Sequence, residues 1–223
     1  MIVGEQKPPR EVFDLISIYG GGNVLILGCD SCVSVSLAGG KEEVKEMISA
    51  LQRICESEGM GWTFTGATVR RQCEKRFHGE VADLIAESDV VVSMGCGVGA
   101  QVLAENNRMK NVVPAVNTSN MGAQVKHGVF KEKCVGCGDC TIHLTAGICT
   151  LARCAKSLQN GPCGGSIDGK CEVDPDTECA WYQIYEALRQ KGQTELMTRV
   201  MPPKDWSKSH SRGARTVKKE GNR

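Results

Sequence analysis

The chain has 223 residues, 41% of them hydrophobic and 24% charged, the profile of a globular protein with room for one substantial domain and a smaller one. Its 27 Lys and Arg against 26 Asp and Glu leave a net charge of +1, without the basic excess expected of a nucleic-acid binder. No apolar run reaches the roughly 18 residues that a membrane span needs, and the segment Met1–Leu15 lacks an apolar export signal, which sets the expectation of a cytoplasmic protein.

Asn23–Gly28 is a short apolar run ending in Gly, the pattern of a buried parallel strand. Within residues 41–57, Val44, Met47, Ile48, Leu51, Ile54 and Cys55 recur at helical spacing. Trp62–Val69 is β-rich, Glu80–Glu87 predicts a short amphipathic helix, and Asp89–Met94 predicts another buried strand. A helix over Gly95–Asn107 and a strand over Asn111–Val116 follow. This alternation predicts an α/β domain over residues 1–128, with a small, Rossmann-like parallel sheet joined by right-handed crossovers.

Thirteen cysteines set the chain apart. Five lie in residues 1–133 and eight in residues 134–179. An odd count in a chain without an export signal argues against a disulfide framework and for metal binding. The second stretch, rich in Gly and Cys and poor in large apolar side chains, predicts an irregular cysteine-rich metal-binding region over residues 129–180, because so little buried surface needs metal to hold one shape. A C-terminal helix over residues 181–201 begins at Trp181. Residues 202–223 form a polar tail; from Pro203 onward it holds seven Lys or Arg against two acids.

Strand ends of a parallel sheet share one edge, where ligands collect. Cys29 and Cys32 follow the first buried strand, Cys73 follows the Trp62–Val69 strand, and Cys96 follows Met94. The four are expected at one edge as thiolate ligands of a 4Fe–4S cluster or a tetrahedral zinc. Gly28, Gly95, Gly97 and Gly99 are expected to let backbone N–H groups approach the sulfides. Two other readings compete here. Gly95–Gly99 could be a dinucleotide loop, but it lacks the full glycine pattern and the acidic residue downstream. Cys29 and Cys32 could form a redox dithiol, although two further cysteines surround them. Cys55, on the apolar face of its helix, reads as core packing.

The downstream series is Cys134, Cys137, Cys140, Cys149, Cys154, Cys163, Cys171 and Cys179. Its C-x2-C-x2-C opening has the spacing by which bacterial ferredoxins hold three irons of a cubane. The next cysteine, nine residues on and followed by Thr150, departs from that motif. Eight thiols make two clusters, or one cluster and a structural zinc. The longer intervals do not form paired zinc-ribbon knuckles. His143 reads as a solvated or capping side chain. No nucleophile–base arrangement or paired-carboxylate motif can be placed, so catalytic residues are not assigned.

The stretches Gly147-Ile148-Cys149, Arg153–Leu158, Asn160-Gly161-Pro162-Cys163-Gly164-Gly165, Gly169–Glu172 and Cys179-Ala180-Trp181 resemble the methylenetetrahydrofolate reductase C-terminal domain family. Arg71–Glu74, Cys96–Gly99 and Pro202–Trp206 carry the likeness over roughly residues 8–207. Thr150 departs from it, standing where the family often has proline. The resemblance implies an iron–sulfur or zinc-containing partner subunit with two or three 4Fe–4S clusters, zinc at one downstream site as an alternative, and no FAD of its own. Its implied partner is a separate FAD-containing TIM-barrel subunit. That subunit reduces methylenetetrahydrofolate to methyltetrahydrofolate in the Wood–Ljungdahl or a related one-carbon pathway of anaerobes. The small subunit would relay electrons to that flavin from ferredoxin or a further electron-input subunit, or support the complex as a zinc-stabilised structural subunit. Pro202–Trp206 is a candidate partner anchor, or else folds onto its own domain.

Overall fold

The structure is a computed structural model that describes residues 1–213 and Thr216–Val217. The remaining basic residues of the tail lie outside the described residues. The chain divides into two compact units, Met1–Lys131 and Glu132–Arg223.

In the first unit a four-stranded parallel sheet has the order β3-β2-β4-β5, formed by β2 (Asn23–Cys29), β3 (Thr63–Val69), β4 (Val90–Ser93) and β5 (Asn111–Pro114). Every residue of β2 from Val24 onward is buried, because helices cover both faces of the sheet. The two-residue period sorts the side chains. Val24, Ile26, Val90 and Val92 meet Val12, Phe13 and Ile16 of α1 (Pro9–Ser17) and Val44, Met47, Leu51 and Cys55 of α3 (Lys41–Glu58). Leu25, Leu27 and Val91 face the other way, toward Ile85 of α4 (Ala82–Glu87) and Leu103 of α5 (Gly97–Asn106).

Local chemistry sets the ends of these elements. Pro9 opens α1, where its missing N–H costs nothing. The Glu43 carboxylate accepts from the Gly40 N–H at 2.8 Å at the start of α3. Gly59 ends α3 at φ 66°, a left-handed cap that favours glycine. The helix expected over 80–87 is shorter, because a 3-10 turn over Lys75–Val81 precedes α4.

A second, antiparallel sheet was not expected. Its order is β1-β6-β7, from β1 (Ile2–Gln6), β6 (Val116–Lys126) and β7 (Val129–Cys134). The strand expected over 111–116 therefore splits: β5 ends at Pro114, and Val116 begins β6, paired with Gln6.

In the second unit, α6 (Thr150–Arg153) is a single turn and α7 (Ala180–Gln190) the main helix. Trp181, Ile184 and Leu188 of α7 are buried against Ile148, Cys154, Leu158, Cys179, Leu196 and Met197. The Trp181 indole N–H donates to the Leu158 carbonyl at 3.1 Å. The expected helix over 181–201 stops at Gln190, and residues Thr194–Thr198 continue as a separate 3-10 turn.

Candidate functional site

Four cysteines follow strand ends along the carboxyl edge of the parallel sheet. Cys29 is the last residue of β2, and Cys32 opens the single-turn helix α2 (Cys32–Val35). Cys73 follows β3, and Cys96 occupies the N-cap position of α5. Burial pushes the Cys29 thiol up from its ordinary range, and the negative charges of Cys73 and Cys96 push it the same way. Backbone N–H groups of Gln72 and Ser31 oppose that shift by donating to the Cys29 sulfur. Partial burial of its sulfur and the Cys96 charge raise Cys73 likewise, although the residue reaches solvent. The Arg71 guanidinium is raised first by its hydrogen bond to Glu74, and also by the charges of Cys73 and Cys32. The charges of Cys73 and Cys96 thus reach Cys29, and the Arg71 cation is influenced by Cys73 and Cys32.

Gln72, which composition and spacing do not single out, organises this edge. Its side chain is fully buried. Its Nε2 donates to the Leu27 carbonyl of β2 at 2.7 Å, and its Oε1 accepts from the Ser93 hydroxyl of β4 at 2.5 Å. Its own carbonyl oxygen lies 2.8 Å from His78 Nε2. Two of the glycines, Gly95 and Gly99, make room for this residue. A Cβ on Gly95 would fall 2.6 Å from Gln72 Oε1, and one on Gly99 would fall 2.9 Å from Gln72 Cβ. The Gly95 and Gly97 N–H groups already bond the hydroxyls of Ser93 and Thr118, at 3.2 and 2.8 Å. Gly28 makes room for Val44 and the Gly39 carbonyl. These glycines permit close packing between neighbouring segments. Cys55 is buried in the core, apart from the edge.

In the second unit, Cys134, Cys137, Cys140 and Cys149 line one cavity of about 380 Å³. The Gly136 N–H donates to the Cys134 sulfur at 3.4 Å, and Gly136 and Gly138 take positive φ to make the turns. The remaining four cysteines are held by other contacts. Cys163 hydrogen-bonds the Glu172 carboxyl, which lies below its usual range because of Lys156 first and Cys163 second. Cys163 and Cys171 both contribute to raising Lys156, whose main cause is its hydrogen bond to Glu172. The Cys171 N–H donates to the Thr177 carbonyl at 2.9 Å, and the Cys179 N–H to the Gly169 carbonyl at 2.8 Å. Cys154 and Cys179 pack against the α7 core. His143 is exposed.

The segment from Met201 to His210 lies on this same unit. Met201 exchanges two hydrogen bonds with the Asn160 side chain, at 2.6 and 3.0 Å. Lys204 donates to the Asp139 carbonyl, and the His210 N–H donates to the Gly136 carbonyl at 3.0 Å. Trp206 stays 44% exposed.

Among the described residues, no three His, Cys, Asp or Glu side chains stand in a ready-made coordinating group. The donor chemistry is nevertheless uniform: sulfur predominates at the sheet edge and in the cavity, the set that soft thiolate-bound metals select. Of these thiols Cys29 is buried and accepts from backbone N–H groups, whereas Cys73, Cys134 and Cys140 are exposed.

Residues 113–207 match the family model described as methylene-tetrahydrofolate reductase C terminal. The matched span takes in all eight downstream cysteines and the strap over Met201–Trp206, and it begins beyond Cys96. It is narrower than the likeness over 8–207. No curated protein and no solved structure matches the chain. No helix among the described residues is long and apolar enough to cross a membrane.

Proposed function

We propose that this chain is the electron-transferring iron–sulfur subunit of a methylenetetrahydrofolate reductase complex. Its partner is a separate FAD-containing TIM-barrel subunit that reduces methylenetetrahydrofolate to methyltetrahydrofolate, and its donor is ferredoxin or a further electron-input subunit. The observation that supports this reading is the position of Cys29, Cys32, Cys73 and Cys96 after three strand ends along one edge of the parallel sheet. The family match over 113–207 supplies the reductase context.

The residues that would hold clusters are these four and the eight downstream cysteines. A cluster bound to them supplies single-electron uptake and release. Gln72 fixes the spacing of the loops that bear Cys29, Cys73 and Cys96 by bonding both β2 and β4. Its backbone N–H, with that of Ser31, stabilises the charged form of Cys29. Arg71 adds a positive charge beside Cys73 and Cys32, offsetting the accumulated negative charge that ligand thiolates bring.

Anaerobic purification with iron, acid-labile sulfide and zinc analysis tests the proposal. Iron and sulfide in stoichiometric amounts, with reduction of the partner flavin through this chain, is the expected outcome. Zinc alone, in a colourless protein silent in EPR on reduction, would establish the alternative of a zinc-stabilised structural subunit.

A further inference from the structure

The cavity in the second unit holds something the ferredoxin spacing does not foretell. Lys204 places its side chain in the lining, only 4% exposed. Its ammonium donates to the Asp139 carbonyl, while the Asp139 carboxylate, half in solvent, stands 4.0 Å away. Burying an ammonium group is costly unless a negative charge answers it. One half-exposed carboxylate at 4.0 Å is a weak answer.

The position of Lys204 is built by the backbone. Pro202 and Pro203 restrict the chain just before it. On either side the strap is fastened, by Met201 to Asn160 and by the His210 N–H to the Gly136 carbonyl. Between these points the strap crosses the loop bearing Cys134, Cys137 and Cys140. Gly138 has φ 79°, and a Cβ there would collide with the Lys208 carbonyl. Strap and cysteine loop are therefore fitted to each other, with Ser209 buried between the fastenings.

The four cysteines that line the cavity are the first four of the series, and none of the last four lines it. In two-cluster ferredoxins the fourth cysteine of such a run serves the other cluster. Here Cys149 shares the cavity with the three before it, while Cys163 and Cys171 answer to Lys156 and Glu172 instead.

We infer that Cys134, Cys137, Cys140 and Cys149 form one self-contained iron–sulfur site, and that Lys204 on the C-terminal strap is its buried counter-charge. This rests on the proposed electron-transfer function and adds to it a residue that sets the reduction potential. Four thiolates around a cubane leave a net anion. One-electron reduction of a cubane held there, by the ferredoxin or electron-input donor of the proposed function, would make that charge more negative with no proton moving. A fixed ammonium nearby favours the reduced form and raises the potential. Lys204 is a positioning and tuning residue and transfers nothing itself.

The test is an EPR-monitored redox titration of the full chain, purified anaerobically, with Lys204→Gln, Lys204→Arg, Cys137→Ala, Cys149→Ala and Cys154→Ala. Lys204→Gln keeps a donor for the Asp139 carbonyl and removes the charge. It is expected to lower the midpoint potential of one cluster signal, which Lys204→Arg restores toward wild type. If Lys204→Gln fails to load that cluster while the other signals persist and Lys204→Arg loads it, the same conclusion follows. Cys137→Ala and Cys149→Ala should erase that same signal, and Cys154→Ala should spare it. An unchanged potential in Lys204→Gln, or loss of the signal in Cys154→Ala, overturns the inference while the electron-transfer reading stands. A wild-type chain without iron removes that reading itself, a different result.

Discussion

The Ser93 hydroxyl donates to Gln72 Oε1 across 2.5 Å in a fully buried setting, tying the end of β4 to the residue just before Cys73. Gln72 Nε2 closes the other side on the Leu27 carbonyl. One amide therefore spaces three strand ends that each lead to a cysteine. Gln72→Leu keeps the approximate volume and leaves the Leu27 carbonyl and the Ser93 hydroxyl without this partner, which costs roughly 1–3 kcal/mol. Chemical denaturation of the metal-free chain should show that loss. The anaerobically prepared variant should also carry less metal at the sheet edge than wild type.

Gly99→Ala probes the same packing from the opposite side. The added methyl meets Gln72 Cβ at 2.9 Å, and overpacking of that kind costs roughly 1–3 kcal/mol. A Gly61→Ala control, where a Cβ meets nothing, should leave stability within about 0.5 kcal/mol of wild type. Thermal or urea unfolding compares the two.

Cys55 and Cys96 test the proposed division between structural and ligating thiols. Cys55 is 3% exposed within the α1–α3 core, so Cys55→Ala should lose some stability and keep the full metal content. Cys96→Ala should keep the fold and lose the metal held at the sheet edge. Metal analysis of both variants, prepared side by side, gives the comparison.

Removal of metal should act unequally on the two units. The first has one cluster of buried side chains on each face of its sheet, whereas the described residues of the second form one small apolar cluster around Trp181, Ile184 and Leu188. On the proposed function, a unit with so small a core takes most of its folding free energy from bound metal. Chelation under reducing conditions should abolish amide exchange protection across 132–210 and leave β2 and β4 protected. Trp181→Ala, a loss of about 3–5 kcal/mol for a buried aromatic, should likewise make the second unit collapse at a denaturant concentration the first survives.

The parallel sheet was legible because Val24–Leu27 and Val90–Val92 are uninterrupted apolar runs, the mark of strands covered on both faces. The antiparallel sheet was hidden because β6, VNTSNMGAQVK, has mostly polar side chains and no clean alternation. Only the His127-Gly128 pair, between β6 and β7 with Gly128 at φ 72°, signals a turn there. The strand-end cysteines could be located from the strands they follow. Gln72 could not, since a buried amide looks like any surface glutamine until its partners at Leu27 and Ser93 are known. Lys204 was marked by the two prolines before it and by the likeness over Pro202–Trp206, but neither shows that its side chain folds inward.

The account stands most directly on the metal content of the full chain isolated without oxygen, read together with acid-labile sulfide. It predicts a brown protein with at least about four irons and matching sulfide per chain, the content of one cubane, and EPR signals that appear on reduction. A colourless protein with fewer irons than that and no labile sulfide would contradict it.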